Sequence, residues 1–139
     1  ELAAAAGLET NRGVVVNRQL ETSAEGIYAL GDCAELEGGL VLPYIAPILH
    51  CAKTIAKRLV GEEAALSLPA MPVIVKTPAC PTIISPPAVG AEGRWKVSGE
   101  GQNLECRFEG SNGELLGCAL LGDASKQRMA YQRELPAVL

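Results

Sequence analysis

Gly31 and Asp32 are the residues of this sequence with the clearest chemical potential. Ile27–Leu30 reads as a short buried strand, Gly31-Asp32 stands at its carboxyl end, and a helical pattern opens about a dozen residues later. In an open α/β sheet, ligands gather beyond the carboxyl ends of the strands. A glycine there lets the backbone come close to a ligand. The aspartate adds a carboxylate that can accept hydrogen bonds from a sugar or polyol hydroxyl. Spacing alone leaves a second reading open, in which Asp32 merely caps a turn.

The other reactive side chains narrow the chemistry by what they lack. The cysteines are Cys33, Cys51, Cys80, Cys106 and Cys118, an odd number with no C-x-x-C pair. Reduced thiols are therefore expected, rather than a disulfide framework or a zinc site. Cys33 beside Asp32 invites a redox reading, but no second cysteine stands at redox spacing, so a packing role is expected. Cys80 is read the same way. The single histidine, His50, excludes a site with several His ligands and has no Ser or Cys partner in a recognisable motif. It reads as a structural histidine. The net charge of −4 argues against nucleic acid as a partner. No apolar run reaches the roughly 18–20 residues that would cross a bilayer.

These residues need elements to position them. Ala3–Ala6 reads as a helix end, with Gly7 as its stop. Asn11-Arg12-Gly13 is a turn before the strand Val14-Val15-Val16, and Thr22-Ser23 opens another turn. From Pro43 to Val60 the pattern is helical, with Ile48, Ala52, Ile55 and Leu59 on one face. Lys57 and Arg58 fall in its later turns, where the helix dipole favours cations, and Gly61 ends it. Pro47 fits the first turn. Charge divides the chain near Leu68: nine acidic residues face five basic ones before it, and seven face seven after it. A proline-punctuated stretch, Pro69 to Pro87, follows. The second part reads as strands at Met71–Lys76, Thr82–Ser85, Arg94–Ser98 and Leu115–Leu121. Another strand alternates Leu104, Cys106 and Phe108 with Glu105, Arg107 and Glu109, one face buried and one wet. Asn112-Gly113 is a strong hairpin signal. Asp123 or Ser125 is expected to cap a last helix running towards Leu135.

Taken whole, the first part resembles the second flavin-binding motif of the pyridine-nucleotide-disulfide-type flavoprotein reductases. The match runs from Ala6-Gly7-Leu8 through Asn11-Arg12-Gly13-Val14-Val15-Val16 to Tyr28-Ala29-Leu30-Gly31-Asp32-Cys33-Ala34-Glu35. The second part narrows the family. Lys76-Thr77-Pro78-Ala79-Cys80-Pro81, Ser85-Pro86-Pro87 and Trp95 look like the C-terminal domain of rubredoxin–NAD(+) reductases. Together the resemblances cover nearly the whole chain. They imply that Asp32 holds the ribityl chain of FAD. They imply that the helix start around Tyr44-Ile45-Ala46 turns its backbone, with Ile45 at the centre, to the flavin ring, and that Lys76 reaches the flavin. Without the resemblance, Lys76 reads as a surface lysine at a strand end.

The resemblance thus implies an α/β fragment of an FAD-binding domain over 1–68, incomplete, followed by a small α+β domain over 69–139. The latter is β-rich with a C-terminal helix and acts as the acceptor-binding domain. The implied activity is that of a cytoplasmic oxidoreductase passing electrons from NAD(P)H through FAD to rubredoxin. No catalytic side chain and no metal ligand is assigned, and neither a membrane nor nucleic acid is expected as a partner. Alternatives are a sibling reductase with another acceptor (flavorubredoxin, a ferredoxin or a nitrite reductase partner), a non-catalytic docking module, or a truncated reading frame. Lys126, Arg128 and Arg133 are either an ordinary solvated face or a surface for an acidic electron carrier. No G-x-G-x-x-G occurs, so the sites for the AMP and pyrophosphate of FAD and for NADH are absent. The opening Glu1–Gly7 reads as the continuation of something longer, and the chain alone is expected to be inactive and to bind FAD weakly or not at all.

Overall fold

The computed structural model describes residues Glu1–Leu139. They fall into two compact units, Glu1–Leu68 with Leu139, and Pro69–Val138.

The first unit is built from short elements. Helix α1 (Leu2–Ala5) ends in Gly7 at φ +79°. Strands β1 (Val14–Val15) and β2 (Ala34–Glu35) pair in parallel, Val14 opposite Ala34 and Val15 opposite Glu35. Val16 extends the ladder by donating its N–H to the Glu35 carbonyl at 3.0 Å. Helix α2 (Ile45–Leu59) closes the unit, with Pro47 in its first turn and Gly61 beyond its end at φ +83°.

Two expectations fail here. Ile27–Leu30 is not a strand. Its hydrogen bonds turn back on the preceding segment, Thr22 N–H to Ile27 O at 2.8 Å and Ala29 N–H to Leu20 O at 3.1 Å, leaving a single bridge between Glu21 and Tyr28. Asp32 therefore follows an extended segment, and the strand of this region is β2, which comes after it. The buried face of α2 is also turned by about one residue. Pro47, Cys51 and Thr54 are buried, while Ala52 is exposed and Leu59 is 69% exposed. Compact side chains let a helix approach its support closely. The Thr54 hydroxyl donates to the His50 carbonyl at 3.1 Å, so its burial strands no polar group.

The second unit is a five-stranded antiparallel sheet with strand order β3-β4-β7-β6-β5. The strands are β3 (Val73–Val75), β4 (Thr82–Ser85), β5 (Arg94–Glu100), β6 (Asn103–Glu109) and β7 (Leu115–Leu121). Strand β7 lies at the centre and is the most buried. The hairpin at Asn112-Gly113 joins β6 to β7, with Gly113 at φ +81°. The register slips by one residue between Phe108 and Glu109, a bulge that brings Leu115 into the cluster of Cys118 and Leu120. Ile83, Tyr131, Leu135 and Ala70 complete that core. The last helix, α3 (Arg128–Glu134), is preceded by a 3-10 stretch over Gly122–Gln127.

Neither Asp123 nor Ser125 caps that helix. Asp123 is drawn to Lys126 at 2.5 Å, and the Ser125 hydroxyl donates to the Gly122 carbonyl at 2.6 Å. The expected wet face of β6 is likewise half-buried, because α3 packs on it. The Tyr131 hydroxyl donates to Glu105. Arg107 lies over the Tyr131 ring, 5.2 Å from its centre, and pairs with Glu109 at 3.0 Å and Glu134 at 2.5 Å. Charge on this face is tolerated because Arg107 meets Glu109 and Glu134, and Glu105 meets a hydroxyl donor. On the opposite face, the Trp95 and Phe108 rings meet in an edge-to-face arrangement, their centres 5.3 Å apart. Trp95 and Val97 share that face as their alternation predicts, yet remain 48% and 63% exposed, because β5 is an edge strand.

Candidate functional site

The first candidate site is the turn that carries Asp32. Gly31–Cys33 form a single 3-10 turn, entered from extended Leu30 and left through extended Ala34. Gly31 sits at φ +77°, a left-handed conformation that a side chain would strain. An added Cβ there would lie 3.8 Å from Cδ1 of Ile48, so this turn packs directly on the early part of α2. Asp32 is exposed, and its carboxylate enters none of the chain's side-chain hydrogen bonds or ion pairs. It is free to accept from a ligand.

The start of α2 is the second component. Tyr44, its N-cap, provides no side-chain cap, and its backbone is extended. The first N–H groups of a helix have no internal partner. Pro47 has none to offer, which leaves Ile45 and Ala46 as the free donors at this end. Ile45 is 77% exposed. The structure thus brings the Asp32 turn and the uncapped helix start together in the first unit.

Lys76 belongs to the second unit and is exposed just after β3. Thr77 N–H donates to the Val75 carbonyl at 2.9 Å, and the Thr77 hydroxyl donates to the Cys80 carbonyl at 2.7 Å. The Thr82 hydroxyl donates to the same carbonyl at 3.0 Å. This tightly tied loop lets Lys76 border a shallow apolar groove lined by Ile74, Pro78, Pro81 and Ser125.

The remaining candidates divide. His50 is half-buried, and its carbonyl serves Thr54. Cys33 does not pack inside: it is exposed, with its thiol towards the Leu30 carbonyl at 3.5 Å. The 3-10 turn, rather than a strand, directs that side chain outward. Cys80 is half-buried near the Gln102 carbonyl.

Sequence reasoning missed Glu35. Its side chain is 4% exposed, yet it carries no counter-ion partner. The carboxylate instead accepts three N–H groups: Arg12 N at 2.7 Å, Gly13 N at 2.9 Å and Asn11 Nδ2 at 2.9 Å. The Gly13 backbone donor, then Asn11, holds its pKa below the ordinary carboxylate range against the opposing effect of burial. Both segments were visible in the sequence, but nothing in their spacing reveals contact across more than twenty residues.

Both units have counterparts among known proteins. Residues 65–135 match the family described as the rubredoxin binding C-terminal domain, and residues 1–57 match the pyridine nucleotide-disulphide oxidoreductase family. The chain is 50% identical over 138 residues to the rubredoxin-NAD(+) reductase of Alcanivorax borkumensis, covering 99% of this chain and 36% of that protein. It is 41% identical to a nitric oxide reductase FlRd-NAD(+) reductase of Vibrio vulnificus, covering 94% of this chain and 34% of that one. The chain therefore spans about a third of the length of the curated relatives it matches. The crystal structure of an NADH:rubredoxin oxidoreductase from Clostridium acetobutylicum superposes with a TM-score of 0.73 at 22% identity, covering 95% of this chain and 34% of that one. That likeness is one of fold. The match across residues 65–135, more than half of the sequence, makes this chain a member of the rubredoxin binding C-terminal domain family.

Proposed function

We propose that this chain is the C-terminal part of a longer, cytoplasmic, FAD-dependent oxidoreductase that carries electrons from NAD(P)H to rubredoxin. In this reading, residues 1–68 are the closing part of the FAD-binding domain and residues 69–139 form the acceptor-binding domain. The observation that carries it is the exposed, unpartnered carboxylate of Asp32 on a left-handed glycine turn beside the uncapped start of α2. That donor and acceptor set suits a ligand with both a polyol chain and an electron-poor polar ring.

FAD, when bound, would supply the redox chemistry by accepting two electrons together and releasing them singly. The chain's own residues bind and orient. Asp32 accepts hydrogen bonds from the ribityl hydroxyls. The backbone N–H groups at Ile45 and Ala46, with the helix dipole behind them, favour negative charge at the ring's polar edge. In the second unit, Lys76 is an exposed cation just after β3. All five cysteines are free thiols, in keeping with a reducing cytoplasmic setting. No helix is long and apolar enough to cross a membrane.

The acceptor would be a small acidic carrier held in a weak, fast, salt-sensitive complex. Of the basic residues near the C-terminus, Lys126 is already paired with Asp123, whereas Arg133 is exposed and enters no ion pair. Arg133 is thus the stronger candidate for docking. A second reading, in which the acceptor is a flavorubredoxin, is favoured by the 41% identity to the Vibrio vulnificus reductase.

The test is the visible spectrum of the full-length protein, mixed anaerobically with NADH and then with oxidised rubredoxin. Bleaching of the flavin followed by rapid reduction of rubredoxin is expected. Bleaching with no response from rubredoxin would leave the cofactor reading intact and shift the acceptor to flavorubredoxin. Absence of bound flavin would overturn the reading at Asp32.

A further inference from the structure

We propose that Glu35 is the positioning residue for Asp32, acting as a buried staple that locks the Asn11–Gly13 turn behind the Asp32 turn; this rests on the reading of Asp32 as a flavin ligand. The geometry is specific. Asp32 sits in the 3-10 turn Gly31–Cys33, and β2 begins at the next residue, Ala34. The backbone that leaves Asp32 is therefore the backbone that carries Glu35.

The Asn11–Gly13 turn lies flat against that backbone. A Cβ added to Gly13 would come within 2.7 Å of the Cys33 carbonyl oxygen, 3.1 Å of the Glu35 nitrogen and 3.2 Å of the Ala34 carbonyl carbon. Close approach of two backbones needs a force to hold it, because the two-residue ladder between β1 and β2 is short. Glu35 supplies it. One carboxylate oxygen accepts the successive N–H groups of Arg12 and Gly13, and the other accepts the Asn11 amide. Three charge-assisted hydrogen bonds converge on one side chain that emerges three residues after Asp32. A fourth tie, from Arg12 Nη1 to the Gly39 carbonyl at 3.4 Å, anchors the same turn to the segment beyond β2.

The consequence is that the Asp32 turn is fixed from behind before any ligand arrives. Ile48 of α2 lies beside Gly31, where an added Cβ would meet it at 3.8 Å. Asp32 then projects from a rigid support rather than from a free loop, which is what a hydrogen-bonding site needs to keep its geometry.

The experiment uses the full-length holoprotein and its apo form, with E35Q, D32N and the double variant. The glutamine side chain of E35Q is nearly isosteric but has one acceptor oxygen for three donors, and it turns an NH2 group towards one of them. FAD binding to the apoprotein is measured by quenching of flavin fluorescence, beside thermal unfolding of the apoprotein. E35Q is expected to weaken FAD binding on the order of tenfold, and D32N by at least as much. The double variant is expected to bind FAD no more than about twofold worse than D32N alone, because a residue that acts only through Asp32 has nothing left to position. Unchanged FAD affinity in E35Q, or effects of E35Q and D32N that multiply, would overturn the proposal. Should E35Q fail to fold, N11A removes one of the three donors from an exposed position. It is carried through the same cycle with D32N, and unchanged affinity or multiplying effects would overturn the proposal there too. D32N with full FAD affinity would instead bring down the reading of Asp32 itself, whatever Glu35 does.

Discussion

The two units solve the problem of holding a chain together in opposite ways. The second unit uses a continuous backbone ladder. Its five strands, two of them flanking the central β7, close around Leu115, Cys118, Leu120 and Tyr131. The first unit has only a two-residue parallel pair. It relies on side chains that reach the backbone: Glu35 on the Asn11–Gly13 turn, Asn17 Oδ1 on the N–H groups of Gln19 and Glu21, and Glu21 on Gly26. Leu20, fully buried at φ +64°, pays for its place with backbone strain. A ladder-built unit can carry an open edge and an exposed face, whereas a staple-built unit depends on a few polar groups near its site.

The sharpest test of this contrast lies in the ladder. L120A should lower stability by about 3 kcal/mol in urea unfolding, because Leu120 is wholly buried in the sheet core. V97A, on the open edge strand, should stay within about 0.5 kcal/mol. Equal losses from the two would deny that β7 is the organising strand.

Next in size is Y131F, which keeps the ring but leaves Glu105 without its hydroxyl donor. A loss of about 1–2 kcal/mol is expected. Burial, then the neighbouring Glu105, pushes the Tyr131 pKa up to about 12 from an ordinary 10.0. A raised acid is stable while protonated. The contribution is therefore intact below pH 10 and is lost as the pH rises towards 12. The alkaline fall in stability should be steeper in the parent than in Y131F, which has no such proton to lose.

The staple should announce itself at the other end of the scale. The folded pKa of Glu35 lies below its ordinary 4.5, so its contribution is present above that value and disappears as the pH falls beneath it. E35Q should flatten the acid limb of the stability curve below pH 4.5. An acid limb identical in the two proteins would mean that the three N–H groups do not depend on the charge. The smallest effect is assigned to K126A. The Lys126–Asp123 pair is exposed on both sides, and its loss should not shift the unfolding midpoint measurably.

Much of the second unit could be read in advance because its signals are local. Alternation marked β6, Asn112-Gly113 marked the hairpin, and Thr82–Ser85 was bounded by turn residues. What alternation could not say was which face would receive α3. It placed Glu105, Arg107 and Glu109 in water, whereas Tyr131 on Glu105, Glu134 on Arg107 and the Arg107–Glu109 pair let them be half-covered. In the first unit, periodicity found α2 but turned its buried face by a residue, since apolarity alone favoured Ile48 and Leu59 over Cys51 and Thr54. A helix buries what fits its support, and fit is a property of two surfaces.

The sequence by itself determined that Gly31 precedes Asp32 and that a helical pattern opens about a dozen residues later. Those are features of neighbouring residues, which spacing is enough to read; the roles of Asp32, Ile45 and Lys76 are what the family resemblance implies. Only the tertiary structure decided that Asp32 rides on a 3-10 turn ahead of β2, that Ile48 backs Gly31, and that Glu35 reaches across to Asn11, Arg12 and Gly13. Such contacts join residues far apart in the chain, and no local pattern encodes which distant donors a buried carboxylate will find.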